Sequence, residues 1–170
     1  AKVLEKCPDI YVVADEIYEH INFSGTFWSI GSIPGMLEKT ITVNGVAKAF
    51  AMTGYRIGYI GAPEFIAKAC TKIQGQVTSG ANSVAQRATI TAVDADPSVL
   101  NHMVQAFHSR RDLVVGLLKE IPGIKINVPE GAFYVFPDVS SFFGKTLKGT
   151  LIKDANDFSM YLLAEACVAT

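Results

Sequence analysis

Apolar positions form short unbroken runs in the first third of this chain and take up helical spacing after it. Ile10-Tyr11-Val12-Val13-Ala14 is continuous, rich in β-branched residues and closed by Asp15-Glu16. That pattern predicts a strand buried on both faces, as in a parallel sheet. Thr40-Ile41-Thr42-Val43 repeats it, and Ile57-Gly58-Tyr59-Ile60 is a third candidate, ended by Gly61-Ala62-Pro63. Pro63 suits the first turn of a helix running to about Val77. Asn82 or Ser83 caps a second helix, to about Val93.

Residues 97–121 carry the clearest helical period: Val99, Met103, Phe107, Val114, Leu117, Leu118 and Ile121 recur on one side, with Arg111, Asp112 and Lys119 between them. About two dozen residues at ~1.5 Å each would span ~35 Å, enough to bridge two domains, before Pro122-Gly123 stops the helix. Beyond it, Lys125-Ile126-Asn127-Val128 and Ala132-Phe133-Tyr134-Val135-Phe136, joined by Pro129-Glu130-Gly131, predict an antiparallel pair. Residues 141–149 read as a polar loop. Asp154 or Asn156 caps a last amphipathic helix through Phe158, Tyr161, Leu162 and Leu163. The fold class is α/β, with parallel strands first and an α+β portion after a boundary inside the long helix, near residues 96 to 110.

Composition narrows the function classes. Lys plus Arg number 15 against 16 Asp plus Glu, a balance that points to neither nucleic acid nor an anionic membrane. The apolar runs are too short to span a bilayer, and no signal segment opens the chain, so the cytoplasm is the expected compartment. Cys7, Cys70 and Cys167 are widely spaced in apolar stretches and read as buried thiols, with no metal-binding or redox spacing. Hydrophobic residues make up 49% of the chain, high for a free-standing soluble domain. Together with termini that look cut, this predicts a piece of a longer polypeptide with apolar surface meant for partners.

The candidate chemistry lies in Asn44-Gly45-Val46-Ala47-Lys48-Ala49-Phe50-Ala51-Met52-Thr53-Gly54-Tyr55-Arg56-Ile57-Gly58. A lysine among small residues sheds water easily, and a partly desolvated amine is easier to keep neutral and nucleophilic. Arg56, between two glycines, suits a phosphate. An amine for a Schiff base and a clamp for a phosphate suggest pyridoxal phosphate (PLP). Ligands of open α/β sheets bind beyond the carboxyl ends of parallel strands, which is where Asp15 and the segment from Gly45 to Lys48 fall. Asp15 could hold a proton on the pyridine nitrogen. Tyr18, one turn along if the chain is helical there, could donate to the ring 3-oxygen. Each residue has a plainer reading when taken singly. Asp15-Glu16 could cap a helix, Tyr18 could be a core aromatic and Arg56 could pair with a surface acid. Gly54 and Gly58 could simply relieve a turn.

Val13-Ala14-Asp15-Glu16-Ile17-Tyr18 resembles the strand-end motif of the fold-type I PLP-dependent aminotransferases, the aspartate aminotransferase-like class I/II group. The stretch from Gly45 to Gly58 resembles that family's lysine-attachment signature, and Pro129-Glu130-Gly131-Ala132-Phe133-Tyr134 is similar to its entry into the small domain. The resemblance covers the chain from about Ile10 onward. It implies a mainly parallel large-domain sheet, with residues 1–100 as the C-terminal part of the PLP-binding large domain and 101–170 as part of the small domain. It also implies that Lys48 is the catalytic lysine and proton carrier, that Asp15, Tyr18, Lys48 and Arg56 hold the cofactor, and that no metal is involved. Ala47 stands where many members have a serine that helps hold the phosphate, which leaves more of that task to Arg56.

Family members are much longer. A small-residue phosphate loop, a ring-stacking aromatic, an asparagine near the 3-oxygen and a carboxylate-binding arginine, all expected by resemblance, have no counterpart in this sequence. The implied activity is transfer of an amino group between an amino acid, aspartate by preference, and a 2-oxo acid, in a homodimer or a self-associating chain. A PLP-dependent lyase or synthase on the same fold remains an alternative, as does a non-catalytic, self-associating fragment. His20, His102 and His108 read as ordinary surface or helix residues, and Phe50 and Met52 as packing.

Overall fold

The sheet that positions the candidate site has three strands in the order β1-β2-β3. The structure is a computed structural model and describes residues 2–170. Strand β1 (Val12–Asp15) lies parallel to β2 (Thr40–Gly45), with Val12 opposite Thr40 and Asp15 opposite Val43. Strand β3 (Gly58–Gly61) runs antiparallel to β2, with Gly45 opposite Gly58. The third strand therefore departs from the expected parallel arrangement. The intervening loop returns to its own starting point at the Gly45–Gly58 pair, so β3 comes back in the opposite sense. Between β1 and β2 the crossover contains no α-helix, only short 3-10 turns at Ile30–Ser32 and Leu37–Lys39.

Burial follows strand position. Central β2 contains the buried Thr40, Asn44 and Gly45, whereas β3 is exposed throughout and Val13 of β1 is 69% exposed. The unbroken apolar run at 10–14 thus does not mark burial on both faces: Tyr11 meets the Phe65 ring of the helix after β3 edge-on, yet Tyr11 and Val13 both stay exposed.

Helix α1 (Glu64–Val77) starts just after Pro63, and α2 (Ser83–Val93) starts at Asn82, whose side chain accepts from the Ala85 amide. The long helix is shorter than its period suggests. A 3-10 turn, Pro97–Leu100, precedes α3 (Asn101–Lys119), and the Asp96 side chain caps that turn. In α3 the buried position is Val115, while Val114 and Leu117 are exposed.

The expected antiparallel pair in the second half does not form. Residues 130–132 instead join the 21–23 segment: the Phe23 amide donates to the Glu130 carbonyl and the Ala132 amide to the Ile21 carbonyl. Ala132 has φ 56°, left-handed backbone that interrupts an extended run. Lys125 and Asp138 form an isolated antiparallel bridge. The stretch read as a polar loop holds a small hairpin, β4 (Thr146–Leu147) with β5 (Thr150–Leu151), before α4 (Ala155–Ala166) starts at its Asp154 cap.

The chain divides into two compact units, Ala1–Gln105 with Glu130–Ala132, and Ala106–Pro129 with Phe133–Thr170. In the first, Ile21, Met36, Val46 and Ala49 are buried; in the second, Val115 and Ile152. Cys70 and Cys167 are exposed and Cys7 is half-buried, against the expectation of buried thiols. Cys70 lies on α1, a helix with no buried residue, so an apolar sequence neighbourhood there does not translate into cover. No helix among the described residues is long and apolar enough to cross a membrane.

Candidate functional site

The lysine-bearing stretch is the connection of the β2–β3 hairpin. Its base is closed by the Gly45–Gly58 pair, and at Gly45 there is no room for a side chain. A Cβ on Gly45 would meet the Ile57 carbonyl oxygen at 2.9 Å, the Gly58 Cα at 3.2 Å and the Ile17 Cδ1 at 3.3 Å. Gly45 is therefore required by close approach of backbone, whereas a Cβ on Gly54 would meet nothing within 4 Å. Val46 and Ala49 are buried and anchor the loop on either side of half-buried Lys48. Two non-glycine residues in the loop, Ala51 at φ 53° and Arg56 at φ 58°, adopt left-handed backbone, a conformation costly for L-residues and frequent at functional loops.

Asp15 ends β1, and the ladder continues one step beyond it through a 2.8 Å bond from the Glu16 amide to the Val43 carbonyl. Residues 17–20 then form turns, not the helix on which the Asp15–Tyr18 spacing was read. The Asp15 Oδ1 accepts from the Ile17 amide at 3.3 Å, which starts the reversal, and the Ile21 amide closes it onto the Tyr18 carbonyl at 2.9 Å. Tyr18 comes near the lysine by this tight turn, and the Lys48 Nζ lies 5.7 Å from the centre of its ring.

Asp15 and Tyr18 share a cavity of about 320 Å³, closed on one side by Glu130, Gly131 and Ala132. Arg56 lines a separate, larger opening of about 1420 Å³, together with Tyr55, Tyr59 and residues of α1 and the α1–α2 loop. Its Nη1 donates to the Thr53 carbonyl at 2.9 Å. The structure thus gathers Asp15, Tyr18 and Lys48 at one end of the parallel pair and puts Arg56 on the same hairpin loop in a neighbouring opening.

Polar residues without a motif of their own hold these segments. The Ser29 hydroxyl donates to the Glu16 Oε1 at 2.8 Å and accepts from the Gly31 amide at 3.2 Å. Asn44, 9% exposed, donates through Nδ2 to the Glu19 Oε1 at 2.7 Å, and its Oδ1 accepts from the Gly45 amide at 2.7 Å. His20 Nε2 is 3.4 Å from the same Glu19 oxygen, and its ring meets Phe50 edge-on. Tyr59 faces Asn44 across the ladder. Burial, and then the Glu19 charge, push its hydroxyl above the ordinary phenol pKa. Sequence pattern gives no signal for Glu19 or Asn44, because their partnership depends on contact across 25 positions.

A carboxylate, a phenol and an amine around one strand end, with a guanidinium on the adjoining loop, form a donor set that suits PLP: the first three match its ring nitrogen, 3-oxygen and aldehyde, and the last its phosphate.

Comparison with known proteins gives one family. The family described as aminotransferase class I and II matches residues 1–170. A bifunctional aspartate aminotransferase and glutamate/aspartate-prephenate aminotransferase of Petunia hybrida is 45% identical over 99% of this chain and 36% of its own length. An aspartate aminotransferase of Pinus pinaster is 43% identical over 99% of this chain and 35% of its own. Among solved structures, the aspartate aminotransferase from Rhizobium meliloti superposes with a TM-score of 0.91 at 43% identity, over 99% of this chain and 43% of that one. An aromatic aminotransferase from Pyrococcus horikoshii gives a TM-score of 0.85 at 34% identity. The chain spans about two fifths of the length of the relatives it matches.

Proposed function

Because this chain belongs to the class I and II aminotransferase family, we propose that the protein carrying it moves an amino group between an amino acid, aspartate first, and a 2-oxo acid, with PLP as cofactor. The observation that carries the reading is that the Lys48 amine lies 5.7 Å from the centre of the Tyr18 ring, while Tyr18 and Asp15 line one cavity. When bound, PLP supplies an electron sink for the carbanion left when an amino acid loses its α-proton. Asp15 would keep a proton on the ring nitrogen through its carboxylate. The Tyr18 hydroxyl would donate to the ring 3-oxygen, and Arg56 would hold the phosphate. The Lys48 amine would hold the cofactor and would carry the proton to and from the substrate α-carbon.

The names of the relatives favour aspartate or glutamate as donor and add prephenate as an acceptor beside 2-oxoglutarate. Residues 1–100 read as part of the PLP-binding large domain and 101–170 as part of the small one, in a cytoplasmic homodimer. The 170 residues alone turn over negligibly in this reading: Asp15 and Arg56 are exposed, and this chemistry needs a site that excludes water.

The test is chemical. The protein is mixed with PLP, reduced with borohydride and digested, and the modified lysine is located by mass spectrometry. Label concentrated on Lys48 supports the proposal. Label scattered over surface lysines, with none enriched at Lys48, overturns it. Turnover with aspartate and either 2-oxoglutarate or prephenate then identifies the acceptor.

A further inference from the structure

Two chain segments bring the candidate groups together, and a side-chain bond joins them. Asp15 and Tyr18 lie on the turn after β1; Lys48 lies on the loop after β2. Between them, Glu19 sits next to Tyr18 and Asn44 sits at the end of β2, with their side chains 2.7 Å apart. Asn44 uses both ends of its carboxamide: Nδ2 reaches Glu19, and Oδ1 takes the Gly45 amide at the point where the strand becomes the lysine loop. The bond is largely shielded, since Asn44 is 9% exposed. A buried amide that lost its acceptor would be left unsatisfied, so the pairing is strongly preferred. Gly45 reinforces the junction by packing where a Cβ would strike Ile57, Gly58 and Ile17, the last from the same turn as Glu19.

We infer that Asn44 and Glu19 are positioning residues that set the distance of the Lys48 amine from the Asp15–Tyr18 turn. The inference rests on the reading of Lys48 as the cofactor lysine. Misplacement by about an ångström costs a reaction of this kind on the order of 100-fold, so a bond between the two supports acts on chemistry without touching the cofactor. Glu19 also faces His20 and Tyr59, which a substitution at Glu19 will disturb.

A donor–acceptor exchange tests this in the complete protein carrying the chain. Asn44→Asp keeps the acceptor for the Gly45 amide but sets a carboxylate against Glu19. Glu19→Gln alone keeps the bond, with the amide oxygen accepting. The double variant Asn44→Asp/Glu19→Gln restores it in reverse, with the Gln amide donating. The readouts are borohydride-fixed PLP on Lys48 at limiting PLP, kcat and KM for the amino donor, and the melting temperature of the PLP-free protein. For Asn44→Asp, Lys48 labelling and kcat should fall about tenfold with KM within about threefold; the exchange should bring both back to within about threefold of wild type. If Asn44→Asp does not fold, Glu19→Ala decides, with the same loss of labelling and kcat expected in a protein that still melts cooperatively, at a somewhat lower temperature because the Asn44 amide loses its acceptor. Wild-type labelling and kcat in Asn44→Asp or in Glu19→Ala, or no recovery in the double variant, would overturn the inference. Absence of Lys48 labelling in the unmodified protein would instead remove the cofactor reading, and this inference with it.

Discussion

At the residue scale, the hairpin loop separates positions fixed by chemistry from positions fixed by space. Lys48→Ala removes the amine while leaving buried Val46 and Ala49 in place. In the complete protein it should lower transamination by roughly 1000-fold or more, measured by coupled assay, and retained turnover would sink the assignment. Gly45 and Gly54 offer a paired test of the spatial argument. Gly45→Ala puts a methyl 2.9 Å from a carbonyl oxygen and should cost about 1–3 kcal/mol in denaturant unfolding. Gly54→Ala enters open space and should be close to neutral. Equal effects at the two sites would refute the close-approach account. The sequence made Asp15, Tyr18, Lys48 and Arg56 visible because each sits in a recognisable run. It hid Glu19 and Asn44, since a glutamate in a turn and an asparagine at a strand end carry no local mark of the bond between them.

At the scale of elements, capping chemistry was legible and strand direction was not. Asn82 and Asp154 stand at helix starts because each side chain caps an amide of its own first turn, and Pro63 precedes α1 because its fixed φ suits a helix start. The sense of β3 depends on how a loop closes, and the lost strand at 132–136 depends on left-handed Ala132 and on partners at 21–23, none of which a local apolar run encodes. Short polar turns also set the acid response. Asp138 accepts from Ser140, and the bonds from the Ser140 side chain and backbone, with a lesser contribution from Lys125, hold its carboxyl below the usual value. Asp96 is lowered in the same way by Ser98. A carboxyl depressed in the fold adds stability above its unfolded pKa and loses it as pH falls through the lower folded value. Asp138→Asn should therefore flatten the acid side of the stability profile. Denaturant midpoints from about pH 7 to about pH 3 measure this, and an unchanged slope would contradict it.

At the scale of the whole molecule, apolar exposure is the dominant property. Helix α1 buries none of its residues, and Phe65, Ile73 and Val77 on it are each at least 60% exposed. Such a surface drives association in water, so the isolated chain at micromolar concentration should scatter light as a species heavier than 18.3 kDa. A clean monomer would refute that. The 49% apolar composition foreshadowed the exposure, although the particular helix that carries it was not evident from periodicity alone. The strap at Glu130–Ala132 has a different consequence, for dissection of the molecule. The chain leaves the first unit after Gln105, returns to it for three residues and leaves again, so no single cut yields both units whole. A chain ended at Gln105 would strip the Ile21 carbonyl and the Phe23 amide of their partners and open the wall beside Asp15 and Tyr18. It should exchange the Phe23 amide hydrogen with solvent far faster than the intact chain does. Supplying residues 125–137 as a separate peptide should slow that exchange, which makes the first unit a candidate for reassembly from two pieces.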